Sequence, residues 1–205
     1  AFFEDLMLKY PSYSRKWFLA YRDVTDARAS FRTVIATVIP RLPASIKLPI
    51  LGVADNTPSH LLLANLDSYV LDFVARQKIG GLSLSFFILK QLPILPPIAY
   101  GAVAPWSKDT DLREWLTSRT LELCFTNWAL RDFAAELGWS GAPFVWNDDR
   151  RFLLRCELDA AFFHLYLPAE QNGRWRRADA ESEHALARLK ASVPTPRDAV
   201  AYIMD

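Results

Sequence analysis

The stretch RQKIGGLSLSFFILKQLPILPP, residues 76–97, is the most apolar part of the sequence and constrains the fold more than any other segment. Its glycine pair, lysines and prolines interrupt it too often for a membrane-spanning helix, which needs about 20 consecutive apolar residues. Gly80 and Gly81 predict the end of a helix, since glycine readily takes the left-handed conformation found there. A helix end, a glycine stop, a buried LSFFIL segment and a proline exit predict a rigid connector between two parts of the chain.

The sequence before this connector predicts a small β-sheet and one helix. WFLAYRDV from residue 17, FRTVIATVIP from residue 31 and the shorter KLPILGV from residue 47 have the composition and alternation of strands. A helix is predicted from Thr57 and Pro58 to about residue 78, with the Thr57 hydroxyl capping its first amides. The predicted apolar face contains Leu62, Leu66, Val70 and Phe73 or Val74, and the predicted polar face contains Asn65, Ser68, Asp72 and Arg76.

The sequence after the connector is typical of helices. Asp111 and Glu114 form a D-x-x-E capping box, and a stripe of leucines predicts a helix that continues to Gly138. Asn147 and the acids after it open a further helix, RRFLLRCELDAAFFHLYL, and EHALARLKA and TPRDAVAYIMD predict two short ones. The predicted fold is therefore α+β, in which a small β-sheet with a packed helix occupies a mixed part, 1–104, and is followed by a helical part, 105–205.

Charge and cysteine content leave the partner of the chain open but favour one compartment. The formal net charge is +1, although residues 1–50 contain eight basic and four acidic side chains. This local surplus is compatible with a phosphate-contacting face, but on its own it favours an ordinary solvated face. Cys124 and Cys156 are far apart and do not make a disulfide framework, so we expect a reducing cytoplasm. Because the sequence begins at Ala1 without an initiator methionine, we expect a fragment of a longer chain.

The sequence contains no recognisable catalytic or cofactor-binding pattern. His60, His164 and His184 are isolated and lack the short spacing of metal ligands. The seven glycines include no glycine-rich phosphate loop, and there is no G-x-S-x-G nucleophile elbow. We therefore expect no catalytic residue, cofactor site or metal site in this chain.

Four segments together resemble a known family. WFLAYRDVTDARASFRTVIATVIP, LLLANLDSYVLDFVARQKIGGLSLSFFILKQLPILPP, RRFLLRCELDAAFFHLYL and TPRDAVAYIMD occur in this order. They resemble the C-terminal region of large bacterial adenine-specific DNA methyltransferases of the type IIG-like restriction-modification group, a region similar to a TaqI-like specificity domain. The pattern RQKIGG-x-x-L-x-FFILKQLP carries most of the resemblance, and the ELDA-x-x-x-x-LY helix supports it.

The resemblance implies a non-catalytic domain that reads the DNA target. The expected partners are double-stranded DNA and the methyltransferase domain of the same parent chain, with no membrane. The S-adenosylmethionine site and the catalytic Asn-Pro-Pro-Tyr motif are expected upstream of Ala1. Whether the parent chain also contains an endonuclease stays open.

Target recognition needs phosphate contacts for position and base-edge contacts for sequence. Arginine and lysine can reach guanine, and glutamine can pair with adenine. The candidate DNA-contacting residues are Arg22, Arg28, Arg32, Arg76, Gln77, Lys78, Lys90 and Gln91. Each of them has an alternative interpretation as an exposed solubilising residue or a helix-end cation. The alternative function is a helical protein-interaction module that docks the methyltransferase domain or a partner subunit without direct DNA readout; a cryptic nuclease is a third.

Overall fold

The computed structural model describes residues 13–27, 31–53, 57–104, 106 and 110–167. The candidate Arg28 lies outside the described residues, as do the two helices predicted at EHALARLKA and TPRDAVAYIMD.

The described residues contain one three-stranded antiparallel sheet. Its strands are β1 (Trp17–Tyr21), β2 (Ala36–Pro40) and β3 (Ile50–Leu51), in the order β2-β1-β3. In register, Trp17 lies opposite Pro40 and Leu19 opposite Leu51. All five residues of the central strand β1 are buried, which explains why WFLAY is apolar throughout instead of alternating. The three strands predicted from the sequence are confirmed, with shorter bounds.

Six α-helices follow the sheet within the described residues. They are α1 (Ser59–Leu66), α2 (Tyr69–Lys78), α3 (Phe86–Leu89), α4 (Leu112–Cys124), α5 (Arg131–Glu136) and α6 (Asp148–Tyr166). Two short 3₁₀ helices lie at Pro97–Tyr100 and Trp128–Leu130. The small sheet and these helices make the chain an α+β protein, as predicted.

The single helix predicted from Thr57 to residue 78 is two helices, separated at Asp67 and Ser68. The predicted Thr57 cap is also wrong. Pro58 occupies the N-cap position of α1 without a side-chain hydrogen bond. The Thr57 carbonyl instead accepts from the guanidinium of Arg15, so the start of α1 is held by a distant residue.

Arg15 is a buried cation that joins three parts of the chain. It is 7% exposed. Its guanidinium donates to Glu136 Oε1 at 2.9 Å, to Ser59 Oγ at 2.7 Å and to the Thr57 carbonyl at 2.9 Å. The other oxygen of Glu136 accepts from the indole of Trp17 at 3.0 Å. These bonds tie β1 and the start of α1 to the end of α5.

The polar face predicted for the 57–78 helix is largely buried, because its side chains bind backbone. Asn65, Ser68 and Asp72 are each at most 1% exposed, whereas Phe73 of the predicted apolar face is 58% exposed. Asn65 Oδ1 accepts from the Leu95 amide at 2.9 Å. Polar side chains that hydrogen-bond to buried backbone groups are themselves buried. Hydropathy alone therefore assigned part of the buried face to solvent.

The helix predicted from Asp111 to Gly138 is also interrupted. Asp111 caps α4 as predicted, since its Oδ1 accepts from the Glu114 amide at 2.9 Å. The helix ends at Cys124, and Asn127 caps a 3₁₀ turn that leads into α5. Gly138 after α5 has φ +80° and is the positive-φ residue of the described chain. The helix end predicted before Gly80 and Gly81 is confirmed, since α2 ends at Lys78, but neither glycine has the positive φ expected there.

The LSFFIL segment of the connector is only partly buried, which corrects the prediction that it is core. Leu84 is fully buried and Leu89 is 7% exposed, but Phe86 and Phe87 are 52% and 76% exposed. The segment forms α3, a single helical turn whose N-cap Ser85 accepts from the Ile88 amide. One turn cannot direct four consecutive apolar side chains to the same side.

The chain divides into two compact units. The first contains the described residues up to Asp67 and Leu71–Trp146, and the second contains Ser68–Val70 and the residues from Asn147. In the second unit, Asn147 caps α6 as predicted, with Oδ1 accepting from the Arg150 amide at 2.8 Å. Asp159 on α6 accepts from the Tyr69 amide at 2.6 Å. The division predicted between residues 104 and 105 stays a prediction. None of the helices in the described part is long and apolar enough to cross a membrane.

Candidate nucleic-acid interface

The connection between β1 and β2 packs against the segment between α2 and α3. The Thr25 amide donates to the Leu82 carbonyl at 2.9 Å, and the Leu84 amide donates to the Asp23 carbonyl at 2.8 Å. Val24 and Ser83 form an antiparallel bridge between these bonds. Residues 23–25 of the β1–β2 connection, residues 22–35, are thereby held beside the motif RQKIGG-x-x-L-x-FFILKQLP.

Arg76 holds the same connection from α2. Its Nη1 donates to the Ala27 carbonyl at 2.7 Å and its Nη2 to the Phe31 carbonyl at 2.6 Å. Its Nε donates to Asp72 Oδ2 at 2.8 Å. The guanidinium therefore uses all three nitrogens on internal acceptors. As a candidate DNA contact Arg76 stays a prediction, and the role visible in its contacts is to fix the connection.

Two aspartates complete this attachment. Asp72 Oδ1 accepts from the amides of Thr33 and Val34 at 2.6 and 2.7 Å. Asp67 Oδ1 accepts from the Ala36 amide at 2.7 Å. These two carboxylates hold the end of the connection. An exposed carboxylate would repel a polyanion, but Asp72 is only 1% exposed.

The other candidate residues differ in exposure. Gln77 and Lys78 at the end of α2 are exposed, as are Lys90 and Gln91 at the end of α3. Lys90 Nζ lies 4.4 Å from the centroid of the Phe86 ring. Gln91 Nε2 donates to the Phe87 carbonyl at 3.3 Å, which leaves its side-chain oxygen available as an acceptor.

Arg22 and Arg32 are half-buried on the β1–β2 connection. The Arg22 amide donates to the Ile35 carbonyl at 2.9 Å. Its side-chain Nε is buried without a hydrogen-bond partner among the described residues. Arg32 Nη1 donates to the Asp67 carbonyl at 3.4 Å, and its guanidinium carbon lies 5.8 Å from the centroid of the Phe31 ring.

We define the candidate interface as residues 22–27, 31–35 and 76–91. It brings together the two groups of predicted DNA-contacting residues, which are far apart in sequence. Its side chains include five that are basic against two that are acidic, Asp23 and Asp26. Asp23 pairs with Lys47 at 3.2 Å, so a neighbouring cation already offsets its charge. The surplus is therefore positive, as a phosphate-contacting surface requires.

One signal of this surface is readable in the sequence. From Phe73 to Lys108 the chain contains no aspartate or glutamate, while it contains Arg76, Lys78, Lys90 and Lys108. An acid-free stretch of this length concentrates positive potential along one segment even when the whole chain is near neutral.

Sequence reasoning missed the exposed aromatic residues of the candidate interface. Phe31 is 84% exposed and Phe87 is 76% exposed. Their exposure has no signal in hydropathy, which assigns phenylalanine to the core. The exposure of these side chains depends on where the backbone lies. Hydrogen bonds between residues far apart in sequence determine that.

His60 lies in a separate polar cluster with Thr117 and Arg113. Its Nε2 is 3.0 Å from Thr117 Oγ1, and that hydroxyl donates its proton to the Arg113 carbonyl at 2.6 Å. The hydroxyl can therefore only accept from the imidazole, which places the ring proton on Nε2. Burial, followed by the charges of Arg113 and Arg15, lowers the pKa of His60 to about 4. The imidazole is consequently neutral at physiological pH and donates to the Thr117 hydroxyl.

Two other features concern metal and small-ligand binding by the described residues. Within the ranges that the structure describes, no group of three histidine, cysteine, aspartate or glutamate side chains could hold a metal ion. A groove of about 350 Å³ lies beside α4, lined among others by Arg113, Glu114, Thr117 and Trp139. Its charged side chains are of both signs, so it has no marked preference for a charged ligand.

No protein-family model, curated protein or solved structure matches this chain. The resemblance to the methyltransferase C-terminal region therefore rests on the quoted motifs.

Proposed function

We propose that this chain recognises and docks double-stranded DNA on behalf of an upstream, S-adenosylmethionine-dependent, adenine-specific methyltransferase domain in a restriction-modification system. The chain itself supplies no catalytic group in this proposal. The observation that carries it is the candidate interface, where exposed cations and amides lie on an acid-free segment that is also the most family-like motif of the sequence. Arginine, lysine and glutamine in such a setting suit phosphate and base-edge contacts.

The candidate residues divide by what their contacts leave them able to do. Lys78 and Lys90 are exposed ammonium groups that suit phosphate oxygens. Gln77 and Gln91 are exposed amides that suit the adenine edge in the major groove. Arg76 serves the proposal indirectly, because it holds the connection that carries Arg32.

The proposal is tested by selection from a pool of duplexes with a randomised core, at low salt and with the full chain. Recognition of a target predicts enrichment of one sequence over successive rounds. Binding without any enrichment contradicts target recognition, and an absence of binding contradicts the proposal entirely.

A charge-reversal pair locates the contact. We expect Lys78→Glu with Lys90→Glu to weaken binding at least about tenfold at low salt and to flatten the dependence of affinity on salt concentration. Arg150→Glu with Arg155→Glu is the matched control, since both residues are exposed cations on α6 in the second unit and the change in charge is the same. Equal losses from both changes would indicate a general charge effect and not a defined interface.

One observation favours the second candidate, a protein-interaction module. Trp128, Val145 and Trp146 are large apolar side chains that are 62%, 90% and 61% exposed. The Trp139 and Phe144 rings stack at 4.8 Å, and the Phe144 amide donates to the Phe125 carbonyl at 2.9 Å. If Arg22→Ala with Arg32→Ala leaves the selected DNA sequence unchanged while Trp146→Ala abolishes association with the methyltransferase domain, this second function is favoured.

A further inference from the structure

Phe31 stands out among the apolar side chains of the β1–β2 connection. It is 84% exposed, although a phenylalanine gains more from burial than almost any other side chain. An isolated exposed side chain on a loosely held loop would need no explanation. Phe31 is different because α2 holds its own carbonyl and the amides two and three residues further on.

The attachment of Phe31 is polar, and its bonds to Asp72 are buried. Its carbonyl accepts from Arg76 Nη2 at 2.6 Å, and the two amides that follow Arg32, those of Thr33 and Val34, both donate to Asp72 Oδ1. The same guanidinium also donates to the Ala27 carbonyl. The ring is thus presented to solvent from a fixed backbone, so little conformational entropy is lost when it enters a partner.

The charge around the ring selects the kind of partner. The Arg32 guanidinium lies beside the ring, with Cζ 5.8 Å from its centroid. The nearest carboxylate in the attachment, Asp72, is 1% exposed and turned onto backbone amides. The Arg32 side chain is half-buried and donates to the Asp67 carbonyl, whereas the Asp72 carboxylate is almost fully buried. A partner that offers an apolar slot flanked by negative charge is complementary, and a base-pair step between phosphates is such a slot.

We propose that Phe31 is a wedge that inserts between two stacked base pairs of duplex DNA, with Arg32 contacting a phosphate next to the opened step. This inference rests on the proposed function and adds to it the mode of contact: binding is coupled to local unstacking of the duplex. Such a wedge bends the DNA and brings more of the protein surface onto it.

The test compares two short fluorescein-labelled duplexes of one mixed sequence, identical except for a single central T·T mismatch. A mismatch has already lost part of its stacking, so a wedge binds there more tightly. We expect the wild-type chain to prefer the mismatched duplex by about tenfold in fluorescence anisotropy titrations. Phe31→Ala removes the preference, and Phe31→Trp retains it. Phe152→Ala, a change at an exposed phenylalanine of the second unit, leaves the preference intact.

The possible outcomes separate the wedge from the proposed function. If the wild-type chain binds both duplexes equally, or if Phe31→Ala keeps the preference, the wedge is wrong while DNA docking stands, and Phe31 is then better explained as a protein contact. If the wild-type chain binds neither duplex at low salt, both proposals fail. Because Phe31 is exposed, Phe31→Ala should unfold at the wild-type temperature, and circular dichroism verifies that any loss is not a folding defect.

Discussion

Asp72 and Arg76 lie one helical turn apart on α2, and a 2.8 Å hydrogen bond joins Oδ2 of the first to Nε of the second. The same two side chains bind four backbone groups of the β1–β2 connection, at Ala27, Phe31, Thr33 and Val34. An ion pair between residues four apart can form in an isolated helix. Here the same pair also attaches the β1–β2 connection to α2.

Removing Asp72 should be strongly destabilising. Asp72→Ala leaves two buried amides without an acceptor and the Arg76 guanidinium without its counter-charge, so we expect a loss of about 3 kcal/mol in the free energy of unfolding. Urea denaturation followed by circular dichroism measures it. The control is Asp132→Ala, because Asp132 is 40% exposed and its partner Lys16 lies at 3.6 Å. That change should cost less than about 1 kcal/mol. Similar losses from the two substitutions would contradict the attachment.

Arg15 should not tolerate replacement by lysine. Its planar guanidinium reaches Glu136, Ser59 and Thr57 at once, and a single ammonium cannot reproduce that geometry. We expect Arg15→Lys to cost about 2 kcal/mol of stability although the charge is kept. Lys16→Ala, at a side chain that is 70% exposed, should change stability by less than about 0.5 kcal/mol. An Arg15→Lys protein with the wild-type urea midpoint would show that the network adds little.

His60 should make the stability depend on pH in a defined window. Its folded-state pKa of about 4 lies below the ordinary 6.5, so the unfolded chain takes up the proton first as the pH falls. The contribution of neutral His60 is fully present above pH 6.5 and is lost progressively down to about pH 4. The loss amounts to roughly 3 kcal/mol at most.

The measurement for His60 is the difference between the wild-type protein and His60→Gln in urea denaturation across that pH range. Glutamine can still donate to Thr117 but does not titrate, so the wild-type stability should fall more steeply toward acid pH. Burial also lowers the pKa of His164, but this contribution is common to both proteins and cancels. Parallel curves for the two proteins would mean that His60 does not titrate within the window.

Alanine at Gly138 should be unfavourable, in contrast to alanine at Gly80. Gly138 has φ +80°, a conformation that strains any residue with a Cβ atom, so we expect Gly138→Ala to cost about 1 kcal/mol. Gly80 lacks a positive φ, and a Cβ there meets nothing within 4 Å. Gly80→Ala should therefore be neutral or slightly stabilising, because it reduces the freedom of the unfolded chain. Thermal unfolding compares the two, and a reversed order would contradict the assignment of the left-handed stop.

The sequence predicts local features of this fold better than tertiary ones. The Asp111 and Asn147 caps are confirmed because each acts within three residues of itself. The Thr57 cap is wrong because a side chain more than forty residues away, Arg15, binds the same turn. Hydropathy predicted Asp72 to be exposed, and this is wrong for the same reason. Its carboxylate accepts from backbone amides that are distant in sequence.

The candidate interface follows the same rule. Its cations and amides were readable as residue types, and the stretch without acids between Phe73 and Lys108 was readable as a pattern. The exposure of Phe31 and the internal use of Arg76 were not, since both depend on hydrogen bonds between the β1–β2 connection and α2. Which DNA sequence such a surface would read is decided at that tertiary level too.

The bridge between Val24 and Ser83 also has a consequence for the order in which the chain folds. β2, β3, α1 and α2 all lie between these two residues in sequence. Closing so long a loop costs more entropy than forming the β1–β2 hairpin, and contacts of large sequence separation slow folding. We therefore expect the bridge to form after the sheet and α2. A nascent chain that has emerged only as far as α2 would already possess β1 in its sheet but would still lack the surface that completes the candidate interface.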